Sequence, residues 1–319
     1  MQASPFRPPL SWRSGSVPCR IMKSMSSRID STNQVEIRPL GDRVEYDLAE
    51  RLQAEVWGPA DVVPAHHLIA TAHNGGLVLG AFAPDQAGPP PVLVGLSYAF
   101  PGHAKGAVLP PRVEGRFVAD AAESAGAAGI ACGPVQWYLY SHMLAVKRSH
   151  QALGLGFRLK QAQREWAIAN GFNLITWTFD PLETANARLN IGKLGGVVRR
   201  YVPDYYGELR DGLNAGLPTD RFILEWWLDR AANRAPDSTP ADGPGGGSVA
   251  TASWPAATAV EVEIPADFQT LKRCDPEQAV SERLRTRAEF VQHFAAGLIV
   301  TRFAVHGDKG VYQLEKTLE

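Results

Sequence analysis

The stretch that most constrains this chain runs from Trp137 to Gly171. Trp137 to Val146 is rich in hydrophobic and aromatic residues and reads as a strand. After a short polar turn, Gly154 and Gly156 open a helix whose apolar positions Leu155, Leu159, Ala162, Trp166 and Ala169 keep helical spacing. Gly171 ends it. The first N–H groups of a helix have no partner within it, and without Cβ atoms at 154 and 156 an anion can come close to them. This is a phosphate seat, to which the helix dipole adds about 0.3–1 kcal/mol.

Two common phosphate ligands fail on spacing. The dinucleotide fingerprint needs a third small residue where Leu159 stands, and G-x-x-x-x-G-K-[ST] occurs nowhere in the chain. The next elements continue an α/β pattern. Phe172 to Phe179 is apolar on both faces, as a buried parallel strand is. Thr184 to Leu194 reads as a second helix, with strands at Val197 to Val202 and Arg221 to Leu228 closing a core near residue 233.

The hexapeptide Gln151-Ala152-Leu153-Gly154-Leu155-Gly156 resembles the Q/R-x-x-G-x-G/A signature of the GNAT N-acetyltransferase superfamily, at that family's distance after Val146. With the runs from Trp177 to Leu182 and from Gly216 to Phe222, it resembles a little-characterised branch of that superfamily. The resemblance implies an α/β (α+β) fold: a mixed, mostly antiparallel sheet flanked by helices and splayed at its two central parallel strands. It also implies acetyl-CoA as cosubstrate and no metal. By the same resemblance, Gln151, Ala152, Leu153, Gly154, Leu155 and Gly156 would hold the diphosphate, and Leu144, Ala145 and Val146 the pantetheine arm. Asn186 resembles an asparagine that contacts the coenzyme in family members; its other reading is a solvated polar residue in a first helical turn.

The chain departs from the family at two places. Ile191 stands where many members carry the tyrosine that protonates the leaving thiolate, and Arg148 where proline is frequent. The acid must then come from elsewhere, and Tyr206 or its neighbour Tyr205 is the nearest phenol to consider; a structural hydroxyl is the other reading of either. For the base, regular alternation along the strand puts Tyr138, Tyr140, His142, Leu144 and Val146 on one face. His142 titrates in the useful range, although a histidine hydrogen-bonded in the core is the plainer alternative. The function so implied is transfer of an acetyl group to an amine of a small molecule or peptide. The contrasting one, motivated by Ile191, is an acyl-CoA-binding regulatory module without turnover.

At 319 residues and 45% hydrophobic, the chain can bury one sizeable core and a smaller unit. Thirty-two basic and thirty-three acidic residues give a formal charge of −1, so no global field draws it to nucleic acid or to an anionic membrane. Three separated cysteines fit a reducing compartment, and the cytoplasm is the expected location. No apolar run approaches the roughly 18 residues of a membrane span. His66, His67 and His73 lie near one another on a helix without an acidic or cysteine ligand to complete a metal set, and read as a solvated face.

Four regions divide the chain. Residues 1–33, basic and rich in Ser and Pro, read as a disordered tail, with a transit peptide as the second reading. Residues 34–233 form the main unit. It opens with a strand from Val35 and a helix capped by Asp42, with Val44, Leu48, Leu52 and Val56 on one face. A hairpin (Leu77 to Ala83, Val92 to Ala99) and a Gly/Ala-rich insertion at 101–135, either lid or plain loop, precede the central strand. Residues 234–256 are a Pro/Gly/Ser linker. Residues 257–319 read as a β-α-β-β extension, its helix starting at Asp275-Pro276 with Val280, Leu284, Val291 and Phe294 as the buried stripe. So small a core needs cover, from the main unit or from a second subunit in a homodimer.

Overall fold

The computed structural model describes residues 35–59, 62–85, 88, 90–105, 112–113, 116–117, 135–207, 217–228 and 259–316. The expected tail, the linker and most of the 101–135 insertion lie outside them.

The chain opens with β1 (Glu36–Pro39), α1 (Arg43–Trp57) and α2 (Ala65–His73). Asp42 accepts from the Glu45 amide at 3.0 Å, a cap worth about 1 kcal/mol. β2 (Leu77–Ala83) and β3 (Val92–Lys105) form the hairpin, and β4 (Arg112–Val113) and β5 (Arg116–Phe117) make a separate short ladder. β6 (Val135–Val146) runs through a 3-10 turn (Arg148–Leu153) into α3 (Leu155–Ala169) and β7 (Leu174–Phe179). The next helix is a single α-turn, α4 (Thr184–Ala187), that continues as a π-helix from Arg188 to Lys193. β8 (Val197–Val202) and β9 (Arg221–Trp227) come next, then β10 (Val260–Pro265), α5 (Phe268–Cys274), α6 (Pro276–Ala295), β11 (Leu298–His306) and β12 (Lys309–Lys316).

Ten strands make one sheet in the order β1-β2-β3-β6-β7-β9-β8-β11-β12-β10. Every neighbouring pair is antiparallel except β6 and β7. This is the mixed, mostly antiparallel sheet that the resemblance implies. α1 and α2 close one face through Leu52, Leu68 and Leu96, and α3 packs the other through Leu155 and Leu159. β2, sandwiched between them, is buried along its whole length, which is why its sequence is continuously apolar.

The C-terminal strands extend this sheet rather than forming a separate one: β11 meets β8 at Val300↔Val198. Two expectations need correction here. The segment holds two helices, α5 as well as α6. In α6 the buried residues are Ala279, Arg283, Thr286 and Phe290, whereas Val280, Leu284 and Val291 are exposed. Two partners set that face. Arg283 donates to Asp180 at 2.5 Å, and the Phe290 ring lies 4.7 Å from Phe222 and 5.6 Å from Tyr312, centroid to centroid. The aromatic cluster, together with the pairing of Arg283 to Asp180, fixes which face of α6 is turned inward. In α1 the same reversal is confined to Val44, 66% exposed, while Leu52 is buried.

Candidate active site

The parallel ladder between β6 and β7 is two residue pairs long, Leu139↔Ile175 and Tyr140↔Thr176. β6 then continues to Val146 and β7 to Phe179, so a crevice opens between them. β3 stays paired with β6 all the way to Val146, which holds the far side of β6 fixed while this edge parts from its neighbour. Crevices at the carboxyl ends of diverging parallel strands are where open α/β sheets accept ligands.

α3 starts at the mouth of this crevice. Gly154 caps it with φ +68°, a left-handed conformation that glycine takes without strain. A Cβ there would meet nothing within 4 Å, so the backbone is open to solvent; one on Gly156 would stand 3.7 Å from Leu144 Cδ2 and 3.8 Å from Leu189 Cδ2. Leu144, on β6, and Leu189, in the π-helix, thus both stand beside Gly156 at the head of α3. Gln151 donates from Nε2 to the Val146 carbonyl at 3.1 Å and ties the turn to the end of β6. Ala152 and Leu153 lie in the 3-10 turn, and Leu153 is exposed. Lys147 is held away by Glu55 at 3.0 Å. Asn186 is exposed in the single turn of α4.

The expectation that Tyr138, Tyr140, His142, Leu144 and Val146 share a face is overturned. Tyr98 pairs with Met143 and Ala99 with Ser141, so His142 is an extra residue in β6, a β-bulge. Past the bulge the alternation is reset. Leu144 and Val146 pack on the α3 core, while Ala145 and Met143 pack beneath α1 and α2. Tyr140 and His142 stay on the α1–α2 face, where the His142 ring meets Tyr98, Phe100 and Tyr140 at centroid distances of 5.6, 5.8 and 6.1 Å. Lost hydration among these rings, and then the charge of His67, pull the His142 pKa below its ordinary value. Its neutral form, able to accept a proton, is favoured.

Tyr206, 40% exposed, closes the other side of this face. Its hydroxyl is 2.9 Å from Thr178 Oγ1 on β7, and the Tyr140 phenol stands near both. Burial, with the neighbouring phenols, raises the Tyr140 pKa far above the ordinary phenol range. Tyr140 is thus a neutral hydroxyl between His142 and Tyr206. Thr219 Oγ1 accepts from the Tyr206 amide at 3.0 Å and donates to the Gly207 carbonyl at 2.9 Å, which fixes the loop. Arg221 lies 5.3 Å from the Tyr206 ring centre. Ile191 is buried in the core, 3% exposed.

Sequence reasoning missed a buried polar chain beneath the bulge. Lys160 Nζ donates to Ser141 Oγ at 2.8 Å and to Gln163 Oε1 at 3.2 Å, and Gln163 Nε2 donates to Ser97 Oγ at 3.1 Å. Lys160 also lies 3.5 Å from the Trp177 ring centre. Burial drives its pKa well below the usual lysine value. The signal was present in spacing: Lys160 shares the inner arc of α3 with Ala167, seven residues on. Among the described residues no group of His, Cys, Asp or Glu is arranged to hold a metal ion, and no helix is long and apolar enough to cross a membrane.

No family model and no curated protein matches the chain. Among solved structures it is similar to the NatC complex bound to Gag peptide and CoA, at 15% identity over 61% of this chain and 98% of that one, with a TM-score of 0.42. It is also similar to the ribosomal-protein-S18-alanine N-acetyltransferase from Escherichia coli (12% identity, 62% and 96% covered, TM-score 0.40). A third is a GNAT-family acetyltransferase from Streptococcus pneumoniae (14%, 61% and 99%, 0.40).

Proposed function

We propose that this protein transfers an acetyl group from acetyl-CoA to an amine of a small molecule or peptide. The observation that carries the reading is the crevice between β6 and β7, opening directly onto the exposed glycine turn of α3. The residues present fit the coenzyme: open backbone at Gly154 for a diphosphate, and a β6 edge beyond Tyr140 that has left β7 and can pair with the amides of a pantetheine arm. The Val146 carbonyl already accepts from Gln151, which leaves Leu144 as the principal main-chain partner. When bound, the coenzyme supplies a thioester carbonyl open to attack.

His142 takes the proton from the incoming amine, in the neutral state its aromatic surroundings favour. Backbone N–H groups of β6 at the crevice stabilise charge developing on the carbonyl oxygen; such donors in a dry site are each worth about 3 kcal/mol. The carbon–nitrogen bond forms as the carbon–sulfur bond breaks, and the Tyr206 hydroxyl, aligned by Thr178, returns a proton to the departing thiolate. A cytoplasmic location fits the cysteine usage.

One observation favours a second reading, a non-catalytic acyl-CoA-binding module: Ile191, at the position where the family carries its acid, is sealed in the core. Release of free thiol from acetyl-CoA in the presence of mixed primary amines tests the two. Amine-dependent release supports transfer, and binding without release across the panel supports the module.

A further inference from the structure

The turn that carries the chain from β7 into the π-helix is gripped from four different elements of the C-terminal segment. Arg283 of α6 donates to Asp180 Oδ2 at 2.5 Å, and Oδ1 of the same carboxylate accepts the Leu182 amide at 2.8 Å. Tyr312 of β12 donates its hydroxyl to the Pro181 carbonyl at 2.6 Å. Gln269 of α5 donates to Glu183 Oε1 at 2.5 Å, and Thr184 Oγ1 donates to the Pro265 carbonyl at the end of β10 at 3.4 Å. Arg283 and Tyr312 are buried to 2% and 0% exposure, as is Leu182 at the centre of the turn.

Beyond the turn, the chain forms a wall of the crevice. Leu189, whose Cδ2 faces Gly156, sits in the π-helix, closed by the Leu194 amide donating to the Leu189 carbonyl at 2.9 Å. A π-helix is less stable on its own than an α-helix and occurs mostly where the surroundings hold it. Here the holding contacts come from residues 265–312, and these bonds end on the 180–184 turn rather than on Gly154 or His142.

We propose that the C-terminal segment is a brace that sets the width of the crevice, with Arg283, Gln269 and Tyr312 as positioning residues acting through the 180–184 turn. The inference rests on the acetyl-CoA reading of that crevice. It assigns the extension a role in coenzyme binding rather than in amine recognition.

The test uses the full chain with Tyr312→Phe and Gln269→Ala, each of which removes one donor and keeps the aromatic and ionic core; Leu284→Ala on the exposed face of α6 is the control. Two readouts are taken: amide hydrogen exchange along residues 185–194 without ligand, and acetyl-CoA affinity by calorimetry. Each brace variant is expected to speed exchange in 185–194 about tenfold and to weaken acetyl-CoA binding about tenfold, the scale of one buried acceptor left unpaired. In turnover, KM for acetyl-CoA rises while kcat and KM for the amine stay at wild-type values, a split that general loss of stability does not produce. Folded variants with wild-type exchange and wild-type affinity overturn the brace. Faster exchange in a protein whose wild type takes up no acetyl-CoA overturns the reading of the crevice, and with it the role assigned to the brace.

Discussion

Gly156 and Leu189 face one another across the crevice, and a Cβ on the glycine would lie 3.8 Å from Leu189 Cδ2. That is ordinary contact, so a methyl group at position 156 fits without displacing Leu144 or Leu189. Gly156→Ala is expected to stabilise α3 by about 0.4–1 kcal/mol, because alanine loses less backbone entropy in a helix, and to bind acetyl-CoA. Gly156→Phe is expected to close the crevice and abolish binding while the protein stays folded. Thermal unfolding and calorimetry on the two variants check both halves.

Replacing His142 with alanine is expected to lower kcat by a factor of about 10² to 10⁴, the usual contribution of a general base. The pH profile gives an independent check. Because partial loss of hydration against the Tyr98, Phe100 and Tyr140 rings, and then the charge of His67, lower the His142 pKa, the acidic limb of the kcat/KM profile falls below the ordinary histidine value. An acidic limb above that value would point to a different base.

Lys160 makes a prediction about stability. Its pKa is lowered in the folded state, so the unfolded chain holds more protons between the folded and unfolded values. Stability therefore rises with pH across that window and is lower at its acidic end, where burying the lysine costs it a proton. Lys160→Met removes this dependence. The difference between wild-type and variant unfolding free energies, measured by denaturant titration from neutral to alkaline pH, is expected to shift in favour of the wild type as pH rises.

The two faces of α6 differ in cost. Val280→Ser or Leu284→Ser, at exposed positions, is expected to change stability by no more than about 0.5 kcal/mol. Phe290→Ala, inside the cluster of Phe222, Tyr201 and Tyr312, is expected to cost about 3–5 kcal/mol. Chemical denaturation of the three variants gives the comparison.

These contrasts trace the line between what was legible in the sequence and what was not. Strands at Leu77–Ala83 and Val197–Val202 stand where their apolar runs and flanking turns put them, and Gly154 heads α3 as its spacing requires. Local signals were enough there. The bulge at His142 was not legible, since the extra residue is defined by the register of β3 and leaves no mark in β6 itself. The buried face of α6 was misread for a similar reason. An arginine reads as exposed until its partner is known, and Asp180 lies 103 residues away. Lys160 was legible only in part: its place on the inner arc of α3 and its partner Gln163 lie within one helix, whereas Ser141 reaches it only when α3 lies on β6.

The open backbone at Gly154, at the head of α3, is the foundation of the functional reading, and calorimetric titration of acetyl-CoA into the wild-type chain and Gly154→Glu tests it most directly. Glutamate puts a like charge at the seat and a side chain at φ +68°. The account predicts micromolar to millimolar binding by the wild type and none by the folded variant; equal affinity in the two would contradict it.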